Sequence, residues 1–395
     1  MKNKLEKIEN IFLVVVAIFI GLFLLGQATI FSNGDSEVGD VEILAEENHQ
    51  EHEADEFYVG QVIEILSEER DDQRELIDQW LLVEITDGER EGDEIELENR
   101  AFFSSEDSQR FSQGDRIVLI DVGGSIGREH ILIGDHYRLT GLIFIFLIFL
   151  SLVLYFGRKR GIGAILGLAF SMIVLIYYMI PNIIAGTNPI QVTLIGAVFI
   201  STVSLFLAHG INKRTPIIWA STVITLILAI IASHLFVDWA NLFGRGSDLS
   251  TTFQMGQFEH INLRGLLLAG MVVGVLGVLS DVTSTQTTVI WQLKRANPEY
   301  GPKELYKSSL AVGREHIASL VNTLGLVYVG ASLHLIILLR AADHVPLWVT
   351  INREPIAEEL VRIIVGSTSL VLAVPISSFL AAHFISKLKS EEFTD

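Results

Sequence analysis

One stretch constrains the chain more than any other: Arg264 to Arg295, RGLLLAGMVVGVLGVLSDVTSTQTTVIWQLKR. Charges stand at its two ends (Arg264; Lys294 and Arg295) and at one internal place, Asp281. Read as one helix from Leu266 to Leu293, it is about 40 Å long at ~1.5 Å per residue, more than the ~30 Å of a bilayer's hydrocarbon core. Asp281 then falls near mid-membrane. A carboxylate at that depth costs roughly 2.5–3.5 kcal/mol unless it faces protein or water. The alternative reading ends the span at Ser280 and makes Asp281 the cap of a following helix. Val289, Ile290, Trp291 and Leu293 favour the first reading, because they carry the apolar character on to the basic pair, where Trp291 is placed as an interfacial anchor. Gly270, Gly274 and Gly277 in the first half are small residues of the kind that lets membrane helices pack closely. The second half is a run of hydroxyls and one amide: Ser280, Thr283, Ser284, Thr285, Gln286, Thr287 and Thr288.

A chain with 50% hydrophobic residues and a mean hydropathy of +0.46 belongs with polytopic α-helical membrane proteins rather than soluble enzymes. The net charge of −19 is unevenly spread: nearly all the excess acid lies between Asp35 and Asp135, where every basic residue is Arg. About eight spans are expected. The first, Ile11–Phe31, lacks a clear small-x-small cleavage site and reads as an uncleaved anchor in residues 1–31. The others are Leu139–Phe156, Ile162–Ile184, Ile190–Leu207, Pro216–Val237, the opening stretch, Ile317–Leu339 and Ala357–Phe384, making a seven-span domain over residues 139–386 with a tail at 387–395. Lys and Arg concentrate in alternate connections (Lys2, Lys4, Lys7; Arg158–Arg160; Lys213, Arg214; Lys294–Arg314; Lys387, Lys389). By the positive-inside rule, both termini are then cytoplasmic in a bacterial cell membrane and the acidic block lies outside.

Within that block, residues 32–55 have the composition of a solvated linker, where His49 and His52 among glutamates offer at most a weak cation site. From residue 56 to 138 short alternating runs (FYVGQVIEI, QWLLVEITDG, DEIELEN, GDRIVLIDVGG, HILIGD) are separated by turn signals at Asp87–Gly88, Glu91–Asp93 and Gln113–Asp115. Period-two alternation at this spacing predicts a small antiparallel β-barrel or sandwich, with Phe102 and Phe103 packed beneath it. Its acidic surface argues against nucleic acid as a partner. Either it binds a partner or it shields the membrane part.

Other chemistry is poorly served. With no cysteine there is no disulfide, thiolate metal site or cysteine nucleophile. Gly163 to Gly167 lacks the lysine and hydroxyl of a P-loop, and His316 after Glu315 has no second histidine at zincin spacing. No catalytic site, metal or cofactor is expected. Polar residues recur instead in the last spans: Ser308, Glu315, Ser319, Asn322 and Thr323 in the seventh, GSTS (Gly366–Ser369) and Ser377–Ser378 in the eighth. Singly they read as helix–helix glue. Together with Asp281, Ser284, Thr285 and Thr288 they make a candidate proton or ion path. His209, His334 and His383 stand near span ends and read as interfacial, and His234 lies deeper.

At SDVTSTQTTVIWQLKRANP, with the glycine-rich run before it, the chain resembles the YibE/F-like family of bacterial membrane proteins, from about Phe57 onward. That resemblance implies a multi-pass membrane protein and no particular activity. The order of a glycine-rich span with one Asp, a basic segment ending in Asn297, a serine-led span and ISSFLAA is also similar to the last three spans of a SecD/SecF-type half of the RND superfamily. In that likeness Asp281, Lys294, Arg295, Ser308, Ser319, Asn322, Thr323, Ser377 and Ser378 take the motif positions. Glu315 and His316 depart from the Arg-Thr pair there, and the large periplasmic domain is missing. The RND likeness implies a homodimer or a partner membrane protein. The expected function is thus a proton- or cation-coupled transporter or force-transducing membrane component. The competing reading is a scaffold or sensor working through the acidic domain, and a membrane-embedded enzyme would need Glu315 as a second acid beside Asp281.

Overall fold

The computed structural model describes residues 56–71, 76–101, 110–121, 131–246, 258–340 and 345–388. The expected first span, the linker with His49 and His52, Phe102 and Phe103, and most of the tail lie outside the described residues. The chain divides into two compact units, one holding the sheet and the beginning of the first described helix, the other the remaining helices.

The sheet is antiparallel throughout, in the order β3-β2-β1-β4-β5, from β1 Glu56–Asp71, β2 Leu76–Ile85, β3 Glu94–Ala101, β4 Arg116–Asp121 and β5 Ile131–His136. Alternate residues (Leu81, Val83 and Ile85 on β2; Ile117 and Leu119 on β4) turn inward onto Tyr58, Val62 and Phe111. It is one curled sheet rather than two stacked ones, and β1 supplies the curl. Its register shifts between Val62 and Glu64 and again between Ile65 and Ser67, and each such bulge sharpens the local twist. At Gly60 a Cβ would stand 2.6 Å from Val83 Cγ1 and 2.9 Å from Leu119 Cδ1, so glycine lets the two neighbouring strands' side chains close over β1. The three expected turns are present, with Gly88, Gly92 and Gly114 at φ 79, 94 and 91. The Tyr58 hydroxyl donates to the Glu56 carboxylate, which pushes its pKa up to about 12.

One buried polar residue ties this core together. Gln79 is fully buried; its Oε1 accepts from the Phe111 N–H at 3.0 Å and its Nε2 donates to the Phe111 carbonyl at 3.1 Å. Gln79→Leu keeps the volume but strands both backbone groups, which should cost about 2 kcal/mol. Hydrogen exchange on the intact protein is expected to show faster exchange across β1, β2 and β4 in this variant; wild-type protection there would refute the role given to Gln79.

Among the described residues the helices are α1 Leu139–Arg158, α2 Arg160–Ile184, α3 Pro189–His209, α4 Thr215–Trp239, α5 Leu263–Ala296, α6 Pro302–Ala331, α7 Leu333–Arg340, α8 Leu347–Ile351 and α9 Glu354–Ile385. Six of them, α1 to α5 and α9, are long and apolar enough to cross a membrane. The helical path breaks at Arg158 (φ 49, ψ −130), inside the basic GRKRG segment expected to separate two spans. In α2 the hydrogen bonding widens to a π-helical turn over Leu175–Met179, just before Pro181. Proline brings no N–H to the preceding turn, and a local change of helix type is one way to absorb that. Where a seventh span was expected over Ile317–Leu339, the chain instead breaks at Ser332 between α6 and α7. The segment still runs along the bundle: α6 starts beside the end of α5, where Leu305 and Trp291 share a buried cluster, and its Tyr328 reaches Gly274 in the first half of α5.

Helix α5 is the centre of the bundle. Asn262 caps it, its side chain accepting from the Gly265 N–H at 2.9 Å. Leu268, Met271, Val272, Val275, Leu279 and Val282 of α5 are buried against Val365, Leu370, Ala373 and Val374 of α9, Leu226 and Ala229 of α4, and Ala197 of α3.

Candidate functional site

Asp281 sits inside an unbroken helix of 34 residues, about 51 Å at ~1.5 Å per residue, so the helix-cap alternative is ruled out. What the linear run of hydroxyls hides is that α5 carries two polar faces. At 100° per residue, Gly277, Asp281, Ser284, Thr285, Thr288 and Gln292 fall on one side, and Thr283, Gln286 and Thr287 on another.

The first face opens onto two adjoining cavities. One, about 470 Å³, lies between α2, α3 and α5; Gly167, Ser171, Ser204, Gly277, Ser280 and Asp281 contribute to its wall. The other, about 680 Å³, continues toward the end of the bundle that carries Arg160 and Arg214, past Ser284, Thr285, Thr288 and Gln292. His209, the last residue of α3, lines both. Asp281 is exposed to this space, and among the described residues no side chain hydrogen-bonds its carboxylate. Ser284 Oγ donates to the Asp281 backbone carbonyl at 3.0 Å. The α2–α3 wall depends on close helix approach: a Cβ at Gly163 would lie 2.2 Å from the Leu207 carbonyl oxygen, and Gly167 abuts the Ser204 backbone. Ser204 Oγ donates to the Gly167 carbonyl at 3.2 Å and meets Ser171 Oγ at 3.3 Å. The Gly163–Gly167 pair that fails as a P-loop is thus a small-xxx-small contact between helices.

The second face is closed. Thr283 Oγ1 lies 2.7 Å from Thr222 Oγ1 of α4, and both are fully buried. Gln286 Oε1 accepts from Ser309 Oγ at 2.8 Å and from Ser378 Oγ at 3.1 Å, the two hydroxyls being 3.0 Å apart. Ser377 Oγ turns back onto the Ala373 carbonyl at 2.6 Å. Gln286 Nε2 is buried without a partner among the described residues.

The residues singled out from the sequence therefore separate into three places. Asp281, Ser284, Thr285 and Thr288 share the groove. Ser377 and Ser378 belong to the buried seam on the far side of α5. Glu315, Ser319, Asn322 and Thr323 are exposed along α6, and the structure brings none of them to Asp281. The glycine stripe divides too: Gly274 meets Tyr328 Oη, which would stand 2.9 Å from its Cβ, whereas Gly270 and Gly277 have open space where a Cβ would go.

Several residues were missed. Ser309, not Ser308, enters the seam, and the buried spacing Leu305, Ser309, Gly313 would have given its phase. His209 stands at the junction of the cavities rather than only at an interface. At the opposite end of the bundle, Glu354 Oε1 accepts from the Phe243 N–H at 2.7 Å, and Glu358 Oε1 from the Gly246 N–H at 2.9 Å. These carboxylates fasten the segment after α4 to α9; acids at the start of a long apolar helix were the available signal. Among the described residues no three His, Asp or Glu side chains gather as a metal site.

A bundle of apolar helices around a central one, with a carboxylate opening onto a polar groove, defines a helical membrane protein with a small curled β unit before it. The family model of the YibE/F-like proteins matches residues 145–387, and the chain belongs to that family. No curated protein and no solved structure gives a significant match to it.

Proposed function

We propose that the protein is a proton- or cation-coupled transporter or force-transducing component of the cell membrane, in which Asp281 takes up and releases the ion inside the α2–α3–α5 groove. The observation that carries this reading is the placement of one acid midway along an apolar helix, facing cavities lined by Ser280, Ser284, Thr285 and Thr288. Facing lipid, that acid would cost several kcal/mol; facing a hydrated groove it costs little and can exchange an ion with the end of the bundle. The route differs from one through the seventh and eighth spans, since Ser377 and Ser378 are sealed behind α5. In our reading the bundle end with Arg160, Arg214 and Lys294 is cytoplasmic, as are both termini, and the acidic β unit is outside, by the distribution of Lys and Arg.

Water access tests the reading, and the cysteine-free chain suits it. In membranes, Ser280→Cys and Thr288→Cys should react with a membrane-impermeant thiol reagent applied from the cytoplasmic side. Thr287→Cys, in the closed seam, should not react, and Ser112→Cys should react from the outside without permeabilisation. If neither groove cysteine reacts while Ser112→Cys does, the groove is dry and the scaffold or sensor reading replaces this one. Ser112→Cys reacting only after permeabilisation would overturn the orientation.

A further inference from the structure

The larger cavity has a chemistry that the ion route does not use. Arg214, at the N-cap of α4, is half-buried with its guanidinium 5.2 Å from the centroid of the Trp291 ring on α5. A cation stacked on an indole is held in place while its N–H groups stay available. Arg160 at the start of α2 and His209 at the end of α3 line the same space, and among the described residues neither arginine has an acidic partner. Among the described residues Asp281 is the only acid lining either cavity, and it belongs to the smaller one.

The uncharged lining is equally free. Thr285, Thr288 and Gln292 make no side-chain hydrogen bond to any described residue. Asn212 is committed: its Oδ1 accepts from the Arg214 and Thr215 N–H groups, and its Nδ2 donates to the His209 carbonyl. The cavity thus presents two guanidinium groups with no acidic partner among the described residues, two hydroxyls and an amide around about 680 Å³, at the basic end of the bundle beside the buried Trp291.

We propose that this cavity binds a phosphate-type anion, held by Arg160 and Arg214 with Thr285, Thr288 and Gln292 as neutral donors. Guanidinium groups match phosphate oxygens in forked pairs, and a basic recess between helices at this depth suits a phosphate on a lipid headgroup as well as a free one. The site shares Thr285 and Thr288 with the ion route and differs from it in its charged residues, Arg160 and Arg214 in place of Asp281.

Wild type, Arg160→Gln, Arg214→Gln and the control Arg295→Gln, an exposed cation outside the cavity, are compared with Asp281 intact. In one arm, inorganic phosphate is titrated calorimetrically into protein in neutral detergent at constant ionic strength. In the other, native mass spectrometry counts phosphatidylglycerol retained by protein taken from nanodiscs with and without that lipid in phosphatidylcholine. Wild type should bind in at least one arm, and affinity or retention should fall at least about tenfold in both cavity variants but not in the control. Saturable phosphate binding identifies a free anion; retention of phosphatidylglycerol alone identifies a headgroup. Arg160→Gln, at an exposed position, keeps the test valid if loss of the Trp291 stack unfolds Arg214→Gln. Absence of binding in both arms, or binding that survives the cavity substitutions, overturns the proposal.

Discussion

Asp281→Asn is expected to abolish ion-gradient-driven activity while leaving the protein folded and inserted. Asparagine is nearly isosteric and keeps hydrogen-bonding capacity, but it cannot take up or release a proton or neutralise a cation. The structural cost should be small, within about 0.5 kcal/mol, since the side chain faces a cavity and accepts no bond from a described side chain. In proteoliposomes, pH-driven proton uptake by the variant should fall to the level of empty vesicles with an unchanged melting temperature in detergent. Asp281→Glu, which keeps the charge one methylene farther out, should retain part of the activity. On the scaffold or sensor reading, Asn behaves like wild type in every assay. Full activity of Asp281→Asn would therefore remove the coupled-ion mechanism, whatever its stability.

The second large effect is structural. A Cβ at Gly163 meets a backbone carbonyl, that of Leu207, at 2.2 Å, and no rotamer change can relieve such a contact. Gly163→Val must push α2 away from α3, breaking the Gly167–Ser204 contact and opening the wall of the smaller cavity. The expected cost is about 3 kcal/mol, the upper part of the usual range for overpacking. Gly270→Ala and Gly277→Ala should be neutral or stabilising by up to about 1 kcal/mol, because nothing occupies the space around them and alanine is the better helix former. Thermal unfolding in detergent separates the cases. Equal melting temperatures for Gly163→Val and Gly277→Ala would mean that α2 and α3 do not meet as described.

Where the sequence signal was periodic and long, it translated directly into structure. The apolar run around Asp281 is one helix because nothing between Leu266 and Leu293 breaks it, and the β turns fall where Gly88, Gly92 and Gly114 permit positive φ. The signal failed where it was compositional. Ser319, Asn322 and Thr323 were grouped with Asp281 because all are polar on neighbouring helices, but composition carries no information about which way a helix is turned. The seventh segment differs for a related reason: apolar content continues from Ile317 to Leu339, yet the helix breaks at Ser332, which composition does not signal. Glu358 was passed over because, between Glu354 and Glu359 at the start of an apolar helix, it reads as one of several end-of-span acids until Gly246 is found against it.

The sequence by itself determined that the chain builds a set of long apolar helices beside a small antiparallel sheet, and that one carboxylate lies midway along the most continuous of them. Hydrophobic periodicity and turn chemistry are local properties, readable within a few residues. Only the tertiary structure decided that α5 has an open and a closed polar face, that α2 and α3 wall the open one, and that Arg160, Arg214 and His209 converge at its end. Those facts depend on the rotation of each helix about its axis and on which glycines admit a neighbour, and both are set by packing between segments far apart in the chain.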